Sequence, residues 1–179
     1  LIVRAAACWP ERIALTFGER HLGYADVQAQ MQCCAAGLLA VGLTYGARVA
    51  VFLEKRIEAV VASFAVPAAG GVLVPVNPLL KATQVAHVLQ DAQAEVLVTS
   101  AVRLAALMPL LADCAALRYV VLCDDVVPST LQNLPAGLGL HTWLEVLAHQ
   151  PGALPTRLET DVAVIFYTSG STGKPKGVV

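Results

Sequence analysis

Small hydroxyl residues, glycines and lysines are concentrated in one short stretch near the end of the 179-residue chain, YTSGSTGKPKGVV at 167–179. Glycine permits positive φ angles and a close approach of the backbone, and hydroxyl and backbone N–H groups donate hydrogen bonds to anions. The lysines add positive charge that suits a polyphosphate. The stretch predicts a phosphate-binding loop, whose residues are Thr168, Ser169, Gly170, Ser171, Thr172, Gly173, Lys174 and Lys176.

Two other nucleotide-binding motifs do not fit this stretch. The Walker P-loop has the pattern GxxxxGK[ST]. Here two residues, not four, separate Gly170 from Gly173, and Pro175 follows Lys174 where that motif requires a hydroxyl. No GxGxxG motif follows an early strand, so a dinucleotide site is not indicated. An NTPase, or a module that only binds nucleotide, stays open as an alternative.

The loop follows an alternation of strands and helices that predicts an α/β fold. IALTF and HLGY, joined by GER, predict an opening β-hairpin. The apolar runs RVAVFL, VLVPVN, EVLVTS and RYVVLC are then separated by helical stretches. Such continuous apolar strands are typical of a parallel sheet with helices on both faces. A last strand, DVAVIFYTSG, runs directly into the loop.

Composition excludes several classes of partner. The chain has 12 basic and 13 acidic residues with no basic block, so we expect no nucleic acid partner. Five cysteines without CxxC spacing and four scattered histidines predict reduced thiols, no metal cluster and a cytoplasmic location. The uncharged run at 59–80 is interrupted by proline and glycine, which predicts a helix, a turn and a strand and no transmembrane segment.

The loop resembles the phosphate-binding signature of the AMP-forming adenylating superfamily, which includes acyl-CoA synthetases, non-ribosomal peptide adenylation domains and luciferases. HLGYADV at 21–27 and the segment 66–100 resemble two further family segments, so the resemblance covers nearly the whole chain. VPVNP followed by LLKATQVAHVLQDA is more similar to fatty and aryl acyl-CoA ligases than to peptide synthetases. VFLEKRIEAVVASF resembles the bacterial acyl-CoA ligases associated with exosortase systems.

This resemblance implies an ATP-dependent ligase. The enzyme would activate a carboxylic acid to an acyl-adenylate and pass the acyl group to the thiol of CoA or of a carrier protein. In the family scheme, Ser169 to Gly173 wrap the β- and γ-phosphates and Thr168 lies near the nucleotide and its Mg²⁺. Lys174 and Lys176 contribute positive charge, either by contact or by electrostatic steering.

The resemblance also implies a division of the chain. Residues 1–123 would form a first α/β subdomain of the large adenylating domain, 124–160 a connector rich in proline and glycine, and 161–179 the start of a second sheet region. The family's Mg²⁺-binding Glu, ribose-binding Asp, acyl pocket, CoA site and catalytic Lys are expected beyond Val179. We therefore expect an N-terminal fragment without catalytic residues of its own. His87, Trp143 and His149 are expected to be packing or surface residues.

Residues 1–179 by themselves are expected to form no acyl-CoA thioester, because the groups that complete the reaction lie downstream in the family scheme. Incubation of this piece with ATP, Mg²⁺, CoA and a panel of acids, followed by chromatography of the CoA species, checks the expectation. Measurable thioester would refute it.

Overall fold

The computed structural model describes residues 1–124, 126–131, 134–169 and 175–179. The chain begins with helix α1 (Ile2–Cys8) and an antiparallel hairpin of β1 (Ile13–Phe17) and β2 (Arg20–Gly23). Helix α2 (Tyr24–Ala40) follows the hairpin. The hairpin predicted from the sequence is confirmed, whereas α1 was not predicted.

A parallel sheet forms the centre of the fold. Its strands are β3 (Arg48–Phe52), β4 (Val72–Pro75), β5 (Ala94–Thr99), β6 (Tyr119–Leu122) and β7 (Gly139–Thr142). Within the described residues the sheet has five strands in the order β4-β3-β5-β6-β7, and all neighbours are parallel. The predicted α/β class is therefore confirmed.

Helices connect the strands and cover both faces of the sheet. They are α3 (Ile57–Ala68), α4 (Ala82–Asp91), α5 (Ala101–Leu107) with a 3₁₀ turn (Met108–Asp113), and α6 (Trp143–Leu147). α2, α3 and α6 pack on one face, and α4 and α5 on the other. Neighbouring residues of β3 face opposite sides: Val49 and Val51 join the first core, Ala50 and Phe52 the second. Burial on both faces explains why the strands are continuously apolar.

Within its described residues, the Pro- and Gly-rich stretch 124–160 contains a 3₁₀ turn (Ser129–Leu131), the strand β7 and the helix α6. α6 begins with a capping box in which the Thr142 hydroxyl accepts from the Glu145 N–H and the Glu145 carboxylate accepts from the Thr142 N–H. β7 immediately precedes α6 and adds to the sheet beside β6; the sequence pattern does not predict this strand. Its four residues, GLHT, lack the β-branched run that identifies the other strands.

The long uncharged run folds as helix, turn and strand. It supplies most of α3, a turn at Gly70 and Gly71, and β4, as predicted. Among the described residues, the helices are too short or too polar for any one of them to span a bilayer.

The Gly37→Ala variant is expected to be less stable although alanine favours a helix over glycine by about 1 kcal/mol. A β-carbon at Gly37 would lie 2.1 Å from the backbone oxygen of Val146 in α6, so the two helices would have to separate. We expect a loss of about 2 kcal/mol in the free energy of unfolding, measured by urea denaturation. Gly152→Ala is the control, because nothing lies within 4 Å of its added carbon. Equal stability of the two variants would contradict this packing.

Candidate phosphate-binding site

The segment 163–165, which leads to the predicted loop, lies beside β4. The N–H of Leu73 donates to the carbonyl of Ala163 at 3.0 Å, and the N–H of Ile165 donates to the carbonyl of Leu73 at 2.9 Å. Val164 and Leu73 form a parallel bridge, so the chain runs in the same direction as β4. It therefore leaves the sheet at the carboxyl edge, where open α/β sheets bind their ligands.

Beyond this pairing the chain forms a hairpin of β8 (Phe166–Ser169) and β9 (Pro175–Val178). Thr168 pairs with Lys176, and Ser169 pairs with Pro175. Directly paired residues project from the same face of a two-stranded sheet, so the Thr168 hydroxyl and the Lys176 ammonium share one face, and both residues are exposed. The other predicted loop residues, from Gly170 to Lys174, lie outside the described residues.

Helix α4 supports this hairpin through two polar contacts. The Tyr167 hydroxyl donates to the Asp91 carboxylate at 2.6 Å. The Nε2–H of His87 donates to the carbonyl of Pro175 at 3.3 Å. Burial, together with the bond to Asp91, raises the pKa of Tyr167, so this hydroxyl stays protonated at neutral pH. Asp91 was not among the residues predicted from the sequence, and His87 was expected to be a packing or surface residue. Trp143 was expected to be a packing or surface residue and is buried in the core.

A cavity of about 570 Å³ opens beside the hairpin. It lies between the loop after β4, helix α4 and the β8–β9 hairpin, and Thr168 is on its wall. The amide oxygens of two lining residues are already engaged: Asn77 accepts from the Leu79 N–H and Gln84 accepts from the Lys81 N–H. These bonds fix the local shape of the cavity wall next to the hairpin.

Four charged side chains fix the loops at the same edge of the sheet. Arg56 bonds Glu58 at 2.6 Å and donates to the Cys123 carbonyl at 2.9 Å. Arg103 bonds Glu54 at 3.0 Å and donates to the Pro78 carbonyl at 2.9 Å. The hydrogen bond to Glu58 raises the pKa of Arg56 above its usual value. The network thus ties the loops after β3, β4 and β6 together beside the candidate site.

The donor set suits a polyphosphate and its metal. The exposed Thr168 hydroxyl is an oxygen ligand of the kind that Mg²⁺ accepts, and Lys176 offers a cation to phosphate oxygens. Within the described residues there is no group of three or more His, Cys, Asp or Glu side chains placed to hold a metal ion. The cysteines are free thiols, and burial raises the pKa of Cys34 to about 12.

Comparison with known proteins decides the family. The model of the AMP-binding enzyme family matches residues 2–179. The chain belongs to this family. That assignment confirms the superfamily predicted from the loop sequence.

Two curated relatives and one solved structure illustrate the similarity. The chain is 34% identical over 165 residues to the L-proline–L-prolyl-carrier protein ligase of Streptomyces coelicolor, and 35% identical over 159 residues to the long-chain-fatty-acid–CoA ligase FadD15 of Mycobacterium bovis. The alignments cover 90% and 86% of this chain. The crystal structure of the anthranilate CoA ligase AuaEII with anthranoyl-AMP superposes with a TM-score of 0.86 over 99% of the chain at 20% identity, which shows the shared fold.

The chain spans only part of each of these proteins. It covers 30% of the Streptomyces ligase, 25% of the Mycobacterium ligase and 33% of the crystallised ligase.

Arg56→Leu is expected to destabilise the protein by about 2 kcal/mol or more, because it leaves the Cys123 carbonyl without its donor and the buried Glu58 with only the long contact to Arg20 at 3.9 Å. Arg118→Leu is the matched control. Its ion pair with Glu95 is 3.9 Å long and the Arg118 side chain is 55% exposed, so we expect a loss below about 1 kcal/mol. Urea denaturation measures both, and equal losses would show that the Arg56 network adds nothing beyond a surface pair.

Proposed function

We propose that the full-length gene product activates a carboxylic acid with ATP and transfers the acyl group to the thiol of CoA. The carboxylate attacks the α-phosphorus of ATP, the bond to the β-phosphate breaks, and pyrophosphate leaves as the acyl-adenylate forms. The thiolate of CoA then attacks the acyl carbon and AMP leaves. The family match over residues 2–179 is the observation that supports this proposal.

The loop would act on the leaving group. Negative charge grows on pyrophosphate as the α–β bond breaks, and donors fixed around that charge lower the barrier. We assign this role to Ser169, Gly170, Ser171, Thr172 and Gly173, with added charge from Lys174 and Lys176. The exposed Thr168 hydroxyl at the hairpin end would hold Mg²⁺ with further ligands outside this chain. When bound, Mg²⁺ neutralises phosphate charge.

A carrier protein is the alternative acceptor. The name of the Streptomyces relative specifies a carrier protein and that of the Mycobacterium relative specifies CoA, at nearly equal identity. We place CoA first because the segment from VPVNP at 74–78 through α4 is more similar in sequence to fatty and aryl acyl-CoA ligases than to peptide synthetases. Thioester mass spectrometry with CoA and with a phosphopantetheinyl carrier domain separates the two acceptors.

We further propose the division of the chain at 124 and 161, and a cytoplasmic location. The free thiols among the described residues suit a reducing compartment. The segment that begins at 161 matters for the site, because it leads from the bridge beside β4 to the hairpin that flanks the predicted loop.

Acid-dependent exchange of labelled pyrophosphate into ATP tests the proposed reaction. We expect exchange by the full-length gene product only when a carboxylic acid is present, and a panel of short, long and aromatic acids identifies the preferred class. An NTPase would instead form ADP and phosphate without any acid, and that result would exclude the proposal.

Lys176→Gln is expected to raise the KM for ATP about tenfold if the ammonium contacts a phosphate, because a charged hydrogen bond contributes about 1.5–3 kcal/mol. Lys55→Gln is the control, since Lys55 is exposed and lies on the loop after β3. If the Lys176 ammonium contacts a phosphate, the raised KM for ATP should persist at high ionic strength. Steering predicts that it disappears there, because salt screens exposed charges beyond about 10 Å at 0.1 M.

A further inference from the structure

The stem of the predicted phosphate loop is a short hairpin that depends on support from outside itself. β8 and β9 contain four residues each. A two-stranded hairpin by itself is marginally stable in water. Residues 170–174 join the ends of the two strands, so the direction of the loop depends on where Ser169 and Pro175 are held.

Helix α4 contacts both strands of this stem from one side. His87 and Asp91 are four residues apart and therefore lie on the same face of the helix. Asp91 accepts from the Tyr167 hydroxyl on β8 at 2.6 Å, and His87 donates to the Pro175 carbonyl on β9 at 3.3 Å. Tyr167 immediately precedes Thr168, and Pro175 lies between Lys174 and Lys176, so both contacts are adjacent to predicted phosphate-binding residues.

The helix is itself fixed in the core. Val85, Val88 and Leu89 of α4 are at most 1% exposed. Its start is held by the hydrogen bond from the Lys81 N–H to Gln84. The contacts of His87 and Asp91 therefore connect the hairpin to a rigid part of the fold.

Gly177 provides the space that the Tyr167 contact requires. The two residues are paired across the hairpin, and a β-carbon at Gly177 would lie 3.3 Å from Cζ of Tyr167 and 2.9 Å from Cγ2 of Ile165. A side chain at this position would displace the ring and carry its hydroxyl away from Asp91. The Tyr167–Asp91 hydrogen bond therefore depends on the absence of a side chain at Gly177.

We propose that Asp91 and His87 are positioning residues, which hold both strands of the hairpin so that the loop between them meets the β- and γ-phosphates of ATP. This inference rests on the proposed function, because the ATP phosphates are the ligand that it assigns to the loop. Neither side chain needs to touch the substrate. Loss of either contact should lower kcat/KM for ATP and leave the KM for the acid unchanged.

The test compares Tyr167→Phe and Asp91→Ala with Tyr45→Phe in the full-length gene product. The control removes the same kind of bond, since the Tyr45 hydroxyl donates to Asp161, and the Tyr45 ring lies beside Gly70 at the other end of β4. We expect kcat/KM for ATP in pyrophosphate exchange to fall about five- to tenfold in the two hairpin variants. We expect less than a twofold change in the control and in the KM for the acid.

A double variant and hydrogen exchange complete the test. The double variant Tyr167→Phe with Asp91→Ala should have the same kcat/KM for ATP as either single variant, because both substitutions remove the same hydrogen bond. Amides of the peptide 166–178 should exchange faster in the hairpin variants than in Tyr45→Phe. His87→Ala should have the same effects through the Pro175 carbonyl.

The outcomes separate this inference from the proposed function. Equal losses in Tyr167→Phe and Tyr45→Phe, or a loss confined to the KM for the acid, would overturn the positioning role. Wild-type protein without acid-dependent exchange would overturn the proposed function. In that case hydrogen exchange still tests whether α4 supports the hairpin. Unchanged protection of the amides of 166–178 in the variants would overturn this support as well.

Discussion

Two backbone hydrogen bonds between Leu73 and residues 163–165 determine where the hairpin strands that flank the predicted phosphate loop begin. At the start of β4, Arg157 donates to the carbonyls of Gly70 at 2.7 Å and Val162 at 2.9 Å. Because the pairing is parallel, the chain must then leave at the carboxyl edge of β4. The hairpin, its contacts with α4 and the cavity beside it all follow from that direction.

Two arginines also hold the loops at this edge of the sheet through ion pairs and hydrogen bonds. Arg103 connects the loop after β4, through the Pro78 carbonyl, to Glu54 after β3, and its guanidinium lies 4.5 Å from the centre of the Phe52 ring. Arg56 connects α3 to the carbonyl of Cys123 after β6. A loop that stabilises a leaving group needs fixed donors, since donors that reorganise during the reaction contribute less. Fixed surroundings at this edge are consistent with that requirement.

The sequence predicted those parts of the fold that local patterns determine. Strands buried on both faces must be continuously apolar, so β3 to β6 were recognisable. The phosphate-binding loop is inferred from residue types at fixed spacing and stays a prediction. β7 escaped prediction because its pairing with β6 is decided by tertiary contact. The contacts of the hairpin with α4 escaped for the same reason: Tyr167 and Asp91 are 76 residues apart, and His87 and Pro175 are 88 apart.

The fate of the carboxylate oxygen tests adenylate formation most directly. The full-length gene product would be given an acid labelled with ¹⁸O in its carboxylate, together with ATP and CoA, and the nucleotide products would be analysed by mass spectrometry. Attack on the α-phosphorus, followed by attack of the thiol on the acyl carbon, leaves one acid oxygen on AMP, so labelled AMP is the predicted result. Unlabelled AMP, or label in inorganic phosphate with ADP as the nucleotide product, would contradict the account.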